Sequence, residues 1–479
     1  MNGAIGGITL YPFVEENASS QGHQNCRYSR DIVLPTRVIK ISGQTAQLQI
    51  NQTETRGAYL ALSYCWGKPD PRKQSQLSEL RLNNEQDLLK EIRLEELEQS
   101  VQDAIQVARE LGFVYLWVDR LCIIQNCLED KRKEIAKMAM TYKNAAITLA
   151  AGTATRACEG FLGHVPDKNP TYLPEHKFDI PMKDGSIGTV YLSGSPYQPD
   201  HPLDKRGWTL QEYMLSSRML IFSDYQLLWQ CLEVKLQSVT GIHAGIEYQQ
   251  HLESLPWASF NDESEPSYGT HDSEKLYLWK TIIMQYTRRE LKDLEDRLPA
   301  VTGITTELQK VWQDSHIYGH WERWFIQLLT WYKPENDRVK KRNIHRAPSW
   351  SWVSVDGGIR YEDPIEIEDA KIEILTAAKV RLSCRILQFK EIELPKRCTL
   401  STRLDLVDSA SNIEFAERKC EYLLLGIKNC CHEGKRGLAL MILKTPDGSY
   451  RRVGLSLFED MTVWTGVNFQ SIDLEPTEK

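Results

Sequence analysis

The chain has 479 residues, 41% of them hydrophobic and 26% charged, which is ordinary globular usage with material for two or three cores. Its 58 basic and 65 acidic residues leave a formal charge of -7 without a long lysine or arginine block, so nucleic acid is not expected as a partner. The N-terminus lacks the basic start and apolar run of a signal peptide, and no segment has the roughly 18 apolar residues of a membrane span. With eleven cysteines and no CxxC pair, the expectation is a cytoplasmic protein with free thiols.

Taken in chain order, Pro35 to Ile41 and Ala46 to Ile50 read as a hairpin around Ser42-Gly43. Ala58 to Gly67 (AYLALSYCWG) is an apolar run too short for a globular helix, ending in glycine, and reads as the first central strand. Leu94, Leu97, Val101, Ile105, Ala108 and Leu111 recur at helical steps, with Gly112 as a C-cap. Phe113 to Asp119 is a buried-type strand ending in an acid. The loop LCIIQNCLED leads from it to a helix whose inner face carries Ile135, Met138 and Tyr142. Ala145 to Thr153 supplies a third strand. Short alternations of strand and helix predict an open parallel α/β sheet, on which ligands bind outside the carboxyl ends of the strands. Those ends carry Ser63-Tyr64, Asp119 and Gly152-Thr153.

Arg156 to Pro202 is polar, proline-rich and too irregular for core. Asp204 to Cys231 follows, with Trp208 and Glu212 four apart and so on one face of a short helix. Arg206 and Arg218 bracket that helix, and two further strands complete the stretch. From Gly241 to about Lys341 the chain reads as helical and tryptophan-rich, with Trp321, Trp324, Leu328 and Trp331 at helical spacing as a core stripe. Ala347 to Gly358 reads as a strand with Trp350 and Trp352 on one face. Alternating runs beyond Arg360, with a turn at Thr445 to Gly448, predict a β-rich module. Cys420, Cys430, Cys431 and His432 do not fit the usual zinc spacings, and no metal site is expected.

Three segments in order carry a resemblance: YLALSYCWG, LWVDRLCIIQ with Asp130, Met138 and Tyr142, and RGWTLQE with the strands after it. They resemble the HET domain of fungal heterokaryon-incompatibility proteins, and the segments from Asp296 (DRLPAVTGI) and Arg346 (RAPSWSWVSVDG) are similar to stretches that commonly follow it. The chain departs from the family pattern at Ile124, where members often have asparagine, and at Asp130 and Glu134, where glutamate and glutamine are common.

The resemblance implies a role in nonself recognition and programmed cell death. It also implies distant similarity to TIR domains, several of which cleave the nicotinamide–ribose bond of NAD with a catalytic glutamate. The implied fold is a TIR-like, flavodoxin-like open parallel sheet, followed by the helical region and the β-rich module. The corresponding boundaries are 1–34 for an N-terminal extension, 35–240 for the HET domain with an irregular insertion at about 154–203, 241–345 and 346–479.

On that similarity Glu212 is the catalytic candidate. Ser63, Tyr64, Trp66, Asp119, Arg206 and Trp208 are candidates for substrate binding. NAD is then a substrate and no cofactor is required, because an ionised carboxylate stabilises the oxocarbenium-like state and nicotinamide leaves neutral. The residues also allow structural roles: Glu212 pairing with Arg206 or Arg218, Asp119 accepting loop amides, and Trp66 and Trp208 packing. Three functions therefore stay open, namely an NAD glycohydrolase, a non-catalytic module of the same fold that binds other incompatibility or signalling proteins or assembles with itself, and a regulatory protein without toxicity.

Overall fold

The computed structural model describes residues 29, 31–51, 54–67, 79–163, 176–182, 186–192, 201–223, 227–232, 237–239, 272–334, 346–362, 365–388, 401–405, 420–430, 434–445, 448 and 450–474. The chain divides into two compact units, Met1–Asp262 and Glu263–Lys479.

The first unit begins with the hairpin β1 (Arg37–Ser42) and β2 (Thr45–Ile50), then β3 (Leu60–Ser63), α1 (Glu85–Lys90), α2 (Gln99–Glu110) and β4 (Tyr115–Trp117). A one-turn helix α3 (Asp119–Cys122) leads to α4 (Leu128–Ile135), α5 (Met138–Asn144) and β5 (Ile147–Ala151). The hairpin β6 (His176–Pro181) and β7 (Ile187–Leu192) precedes α6 (Gly207–Leu215), β8 (Arg218–Phe222), β9 (Leu227–Cys231) and β10 (Gln237–Ser238).

One eight-stranded sheet runs β10-β9-β8-β5-β3-β4-β1-β2. Its centre is parallel, β3 pairing with β4 and β5 and β5 pairing with β8. Both margins are antiparallel. Every residue of β3, β5 and β8 is buried, as expected where helices cover both faces of parallel strands. From β3 the chain crosses to β4 on one side and then to β5 on the other. The order of strands therefore reverses at β3, and the crevice at such a reversal is where open α/β sheets bind ligands.

Four sequence expectations change in detail in this unit. The apolar period starting at Leu94 is split, because Leu94–Glu96 is a separate 3-10 turn and α2 begins only at Gln99. Asp119 opens α3 rather than ending β4. The segment from Arg156 to Pro202 contains the paired hairpin β6–β7. Of the two strands after α6, β8 joins the parallel sheet while β9 returns antiparallel to it.

The second unit starts with α7 (Asp272–Tyr286) and α8 (Pro299–Trp312). Proline at the first turn and Gln313 in the left-handed region at the end bound α8, since proline needs no donor there and a left-handed residue stops the helix. The tryptophan stripe is not one helix. It passes through β11 (His316–Ile317), β12 (His320–Trp321), α9 (Phe325–Leu328) and β13 (Trp331–Tyr332), yet Trp321, Trp324, Leu328 and Trp331 are all buried. Trp312 packs edge-on against Trp321 and Trp324 at 4.9 and 5.4 Å, so the stripe is core as expected. Trp350 and Trp352 are also buried, but Trp352–Ser354 is a 3-10 turn rather than a strand.

After β14 (Arg360–Tyr361) comes a seven-stranded sheet of β15 (Lys371–Ile374), β16 (Val380–Gln388), β17 (Ser401–Leu404), β18 (Glu421–Cys430), β19 (Gly434–Lys444), β20 (Tyr450–Phe458) and β21 (Phe469–Leu474). Its order is β15-β16-β18-β19-β20-β17, with β21 paired to both β16 and β20. Phe325, Leu329 and Trp350 share one apolar core with this sheet. Cys431, His432 and the centre of the Thr445 to Gly448 turn lie outside the described residues, as do most of residues 1–34 and residues 241–271. Among the described residues no helix is long and apolar enough to cross a membrane.

Candidate active site

Strand β3 alternates its side chains, so Ser63 and Tyr64 leave opposite faces of the sheet. Ser63 meets α6. Its hydroxyl donates to Glu212 Oε2 at 2.5 Å, and both side chains are buried. The register of α6 is fixed from both ends. Thr209 Oγ1 donates to the carbonyls of Leu203 and Arg206 at 2.7 and 2.8 Å, and Ser216 Oγ donates to the carbonyl of Glu212 at 2.6 Å while also contacting Thr148 of β5. The Glu212 carbonyl lies in the last turn of α6, where carbonyls have no intrahelical partner, and the Ser216 hydroxyl fills that place.

Glu212 is 3% exposed, and burial pushes its carboxyl up to about 7, against the pull of Arg206 and of the Ser63 and Tyr142 hydroxyls. Near neutral pH both protonation states are therefore populated, which is the range useful for acid–base or electrostatic work. Tyr142 on α5 stands with its hydroxyl 3.2 Å from the carbonyl of Leu62 and within hydrogen-bond reach of Glu212. Its ring stands edge-on to Trp117 at 5.5 Å. The sequence marked Tyr142 only as part of a helix inner face, and no local signal connects it to a glutamate 70 residues away.

Asp119 is partly exposed at the start of α3. The Trp66 indole N–H donates to both of its carboxylate oxygens, at 2.9 and 3.1 Å, and the Arg120 amide donates at 2.7 Å. Burial raises its carboxyl nonetheless, opposed first by Arg206. The Arg120 guanidinium lies 5.2 Å over the Trp66 ring and donates to Glu98 at 2.8 Å. The loop after β3 turns away at Gly67, in the left-handed region, where a Cβ would come within 2.3 Å of Arg156.

Arg206 donates to the carbonyl of Tyr64 and so pins the entry of α6 to the end of β3. The Tyr64 hydroxyl is buried without a hydrogen-bond partner. Such an orphaned donor costs about 1–3 kcal/mol unless water or a ligand meets it. Trp208 is partly buried against the apolar core of the sheet.

Of the seven predicted residues, Ser63 and Glu212 are joined directly, Trp66 and Asp119 are joined directly, and Arg206 and Tyr64 are joined through a main-chain carbonyl. Arg218 donates instead to the carbonyl of Ala146, at 2.5 Å.

The two unusual acids after α3 have structural partners. Asp130 accepts from the Ile124 amide at 2.8 Å and pairs with Arg37 at 2.9 Å. Glu134 accepts from Thr36 at 2.9 Å. Burial pushes the Cys122 thiol up to about 12, which leaves no thiolate for nucleophilic chemistry at neutral pH.

No curated protein and no solved structure matches this chain. A family model described as heterokaryon incompatibility protein (HET) does match, over residues 59–212. Its span runs from the start of β3 to the buried glutamate of α6, so the chain carries a heterokaryon incompatibility domain.

Proposed function

We propose that this domain works in nonself recognition and cell-death signalling in the cytoplasm by cleaving NAD at the nicotinamide–ribose bond, with Glu212 as the catalytic carboxylate. The observation that carries this reading is the buried Ser63–Glu212 hydrogen bond at the reversal point of a parallel sheet. An acid with a raised pKa beside the end of β3 supports nucleotide binding there. On this reading the domain occupies residues 35–240 on a TIR-like sheet, followed by a helical region at 241–345 and a β-rich module at 346–479.

The chemistry follows from the residues. In its ionised form Glu212 stabilises the positive charge that develops on the ribose as the glycosidic bond breaks; nicotinamide departs as a neutral group with the bonding pair, and water adds to the ribose carbon and gives up a proton. Ser63 holds the carboxylate in one orientation. Trp66 offers a ring for a base, Asp119 accepts ribose hydroxyls, and Arg206 or the amides at the strand ends supply donors for the pyrophosphate. Trp208 closes the helix side.

The test is incubation of the purified full chain with NAD and measurement of released nicotinamide, beside Glu212→Gln and Glu212→Ala. Release by the wild type and its loss in both variants is expected. Equal release from all three, or none under conditions that promote assembly, sinks the catalytic reading. The 3% exposure of Glu212 favours one alternative, in which the carboxyl is a structural strut and the domain signals by binding partners. In that case Glu212→Gln keeps both fold and signalling.

A further inference from the structure

We propose that Ser223, His201 and Asp204 form a second site in the first unit, a serine-nucleophile centre acting on uncharged acyl esters. Ser223 follows directly on β8, whose carboxyl end lies beside that of its parallel neighbour β5. Its Oγ is 2.7 Å from His201 Nε2, and the opposite ring nitrogen, Nδ1, faces Asp204 Oδ2 at 3.5 Å. Hydroxyl, imidazole and carboxylate thus connect in that order through the two ring nitrogens. This is the connectivity in which a base takes the serine proton while an acid holds the ring. The Asp204 separation is an ion-pair distance, longer than a hydrogen bond, and catalytic contacts are commonly loose before substrate binds.

The imidazole is held in place from several sides. His201 is 3% exposed, and its ring lies on Gly152 at the end of β5. A Cβ at Gly152 would stand 3.1 Å from the ring and 2.9 Å from the carbonyl of Phe222, so the close approach needs glycine. Asp204 sits three residues on, in the 3-10 turn Pro202–Lys205, where its amide donates to the His201 carbonyl at 3.0 Å. Ser223 and Asp204 are partly exposed while the base between them is buried, so a reactant can reach the hydroxyl with the imidazole shielded. Ile221, two residues before Ser223 and on the same face of β8, packs in one apolar cluster with Leu203. Ser223 thus stands at the margin of a packed apolar cluster, the side on which an acyl group without charge would lie. Nothing in the arrangement uses Glu212, so it stands or falls apart from NAD cleavage.

In the reaction the Ser223 oxygen bonds to the acyl carbon and its proton passes to His201 Nε2. The ester C–O bond then breaks, and the alcohol leaves with that proton. Water, deprotonated by the same imidazole, frees the carboxylic acid and restores the serine.

A fluorophosphonate probe on the purified full chain tests the assignment: the serine oxygen bonds to phosphorus and fluoride leaves. One adduct mapped to Ser223 by mass spectrometry is expected, absent in Ser223→Ala and formed on the order of a thousandfold more slowly in His201→Gln. Circular dichroism and the urea midpoint of Ser223→Ala should match the wild type. No adduct on the folded wild-type chain, an adduct that survives Ser223→Ala, or an unchanged labelling rate in His201→Gln overturns the proposal.

Discussion

Ser63 and Glu212, 149 positions apart, meet at 2.5 Å, and this contact places an ionisable group inside the sheet's cover. The Glu212 carboxyl is raised from 4.5 to about 7 by burial. Because the folded state holds this proton more tightly than the unfolded chain, the associated stability is present below pH 4.5 and is lost as pH rises to about 7. The loss reaches at most about 3 kcal/mol. In urea unfolding the stability of the wild type relative to Glu212→Gln, which carries no charge, should fall between pH 5 and pH 8. Parallel pH profiles for the two proteins would contradict the burial of an ionisable Glu212.

Tyr142 is the nearest lever on that ionisation. Its hydroxyl is buried between the Leu62 carbonyl and Glu212, with Trp117 edge-on to the ring. A hydroxyl donor favours the charged carboxylate, so Tyr142→Phe should move Glu212 titration to higher pH. Carboxyl NMR of the labelled glutamate reads this without any substrate. If NAD is cleaved, the onset of activity should move upward in step, with KM little changed. An unmoved Glu212 titration in the variant would show that Tyr142 does not act through it.

The parallel sheet was readable because Leu60–Ser63, Tyr115–Trp117 and Ile147–Ala151 are short apolar runs separated by helical periods. Trp208 and Glu212 were placed on a helix by their spacing, and α6 carries both. Long-range partners leave no such trace. Tyr142 with Glu212 and His201 with Ser223 are contacts between distant segments, and neither residue of either pair carries a local pattern that names the other. Tertiary packing also overrode the helical period at Trp321, Trp324 and Trp331, since a cluster of edge-on rings accepts side chains from strands, turns and short helices alike.

In the second unit His316 and His320 should make the fold acid-sensitive. Burial lowers both imidazoles from 6.5 to about 3, and their Nε2 atoms are buried without hydrogen-bond partners. The rings lie among Trp279, Trp321, Phe325 and Trp350 at 4.9–5.3 Å. The unfolded chain binds these protons below pH 6.5 and the folded chain does not until about pH 3, so stability falls as pH drops through that window. Each histidine contributes a slope of about 1.4 kcal/mol per pH unit. His320→Phe should remove one of the two proton uptakes seen when unfolding is followed between pH 4 and pH 6. A variant with the wild-type slope would show that His320 is already protonated in the fold.

Arg452 and Asp405 are both fully buried and pair at 3.0 Å in the second unit. The guanidinium also donates to the carbonyls of Leu329 and Trp331 and lies 3.5 Å over the Trp331 ring. One side chain of β20 thus ties the tryptophan-rich segment to the sheet. Removing only the acid leaves the buried guanidinium without the Asp405 carboxylate, which is the costly way to break such a pair. Asp405→Ala should therefore destabilise the second unit by about 3–5 kcal/mol. The double variant Asp405→Leu with Arg452→Met, which removes both charges, should recover a large part of that loss. Urea denaturation followed by tryptophan fluorescence measures both, because Trp331 reports on the same contact. A single variant within about 1 kcal/mol of the wild type would mean that Arg452 reaches solvent or another acid in solution.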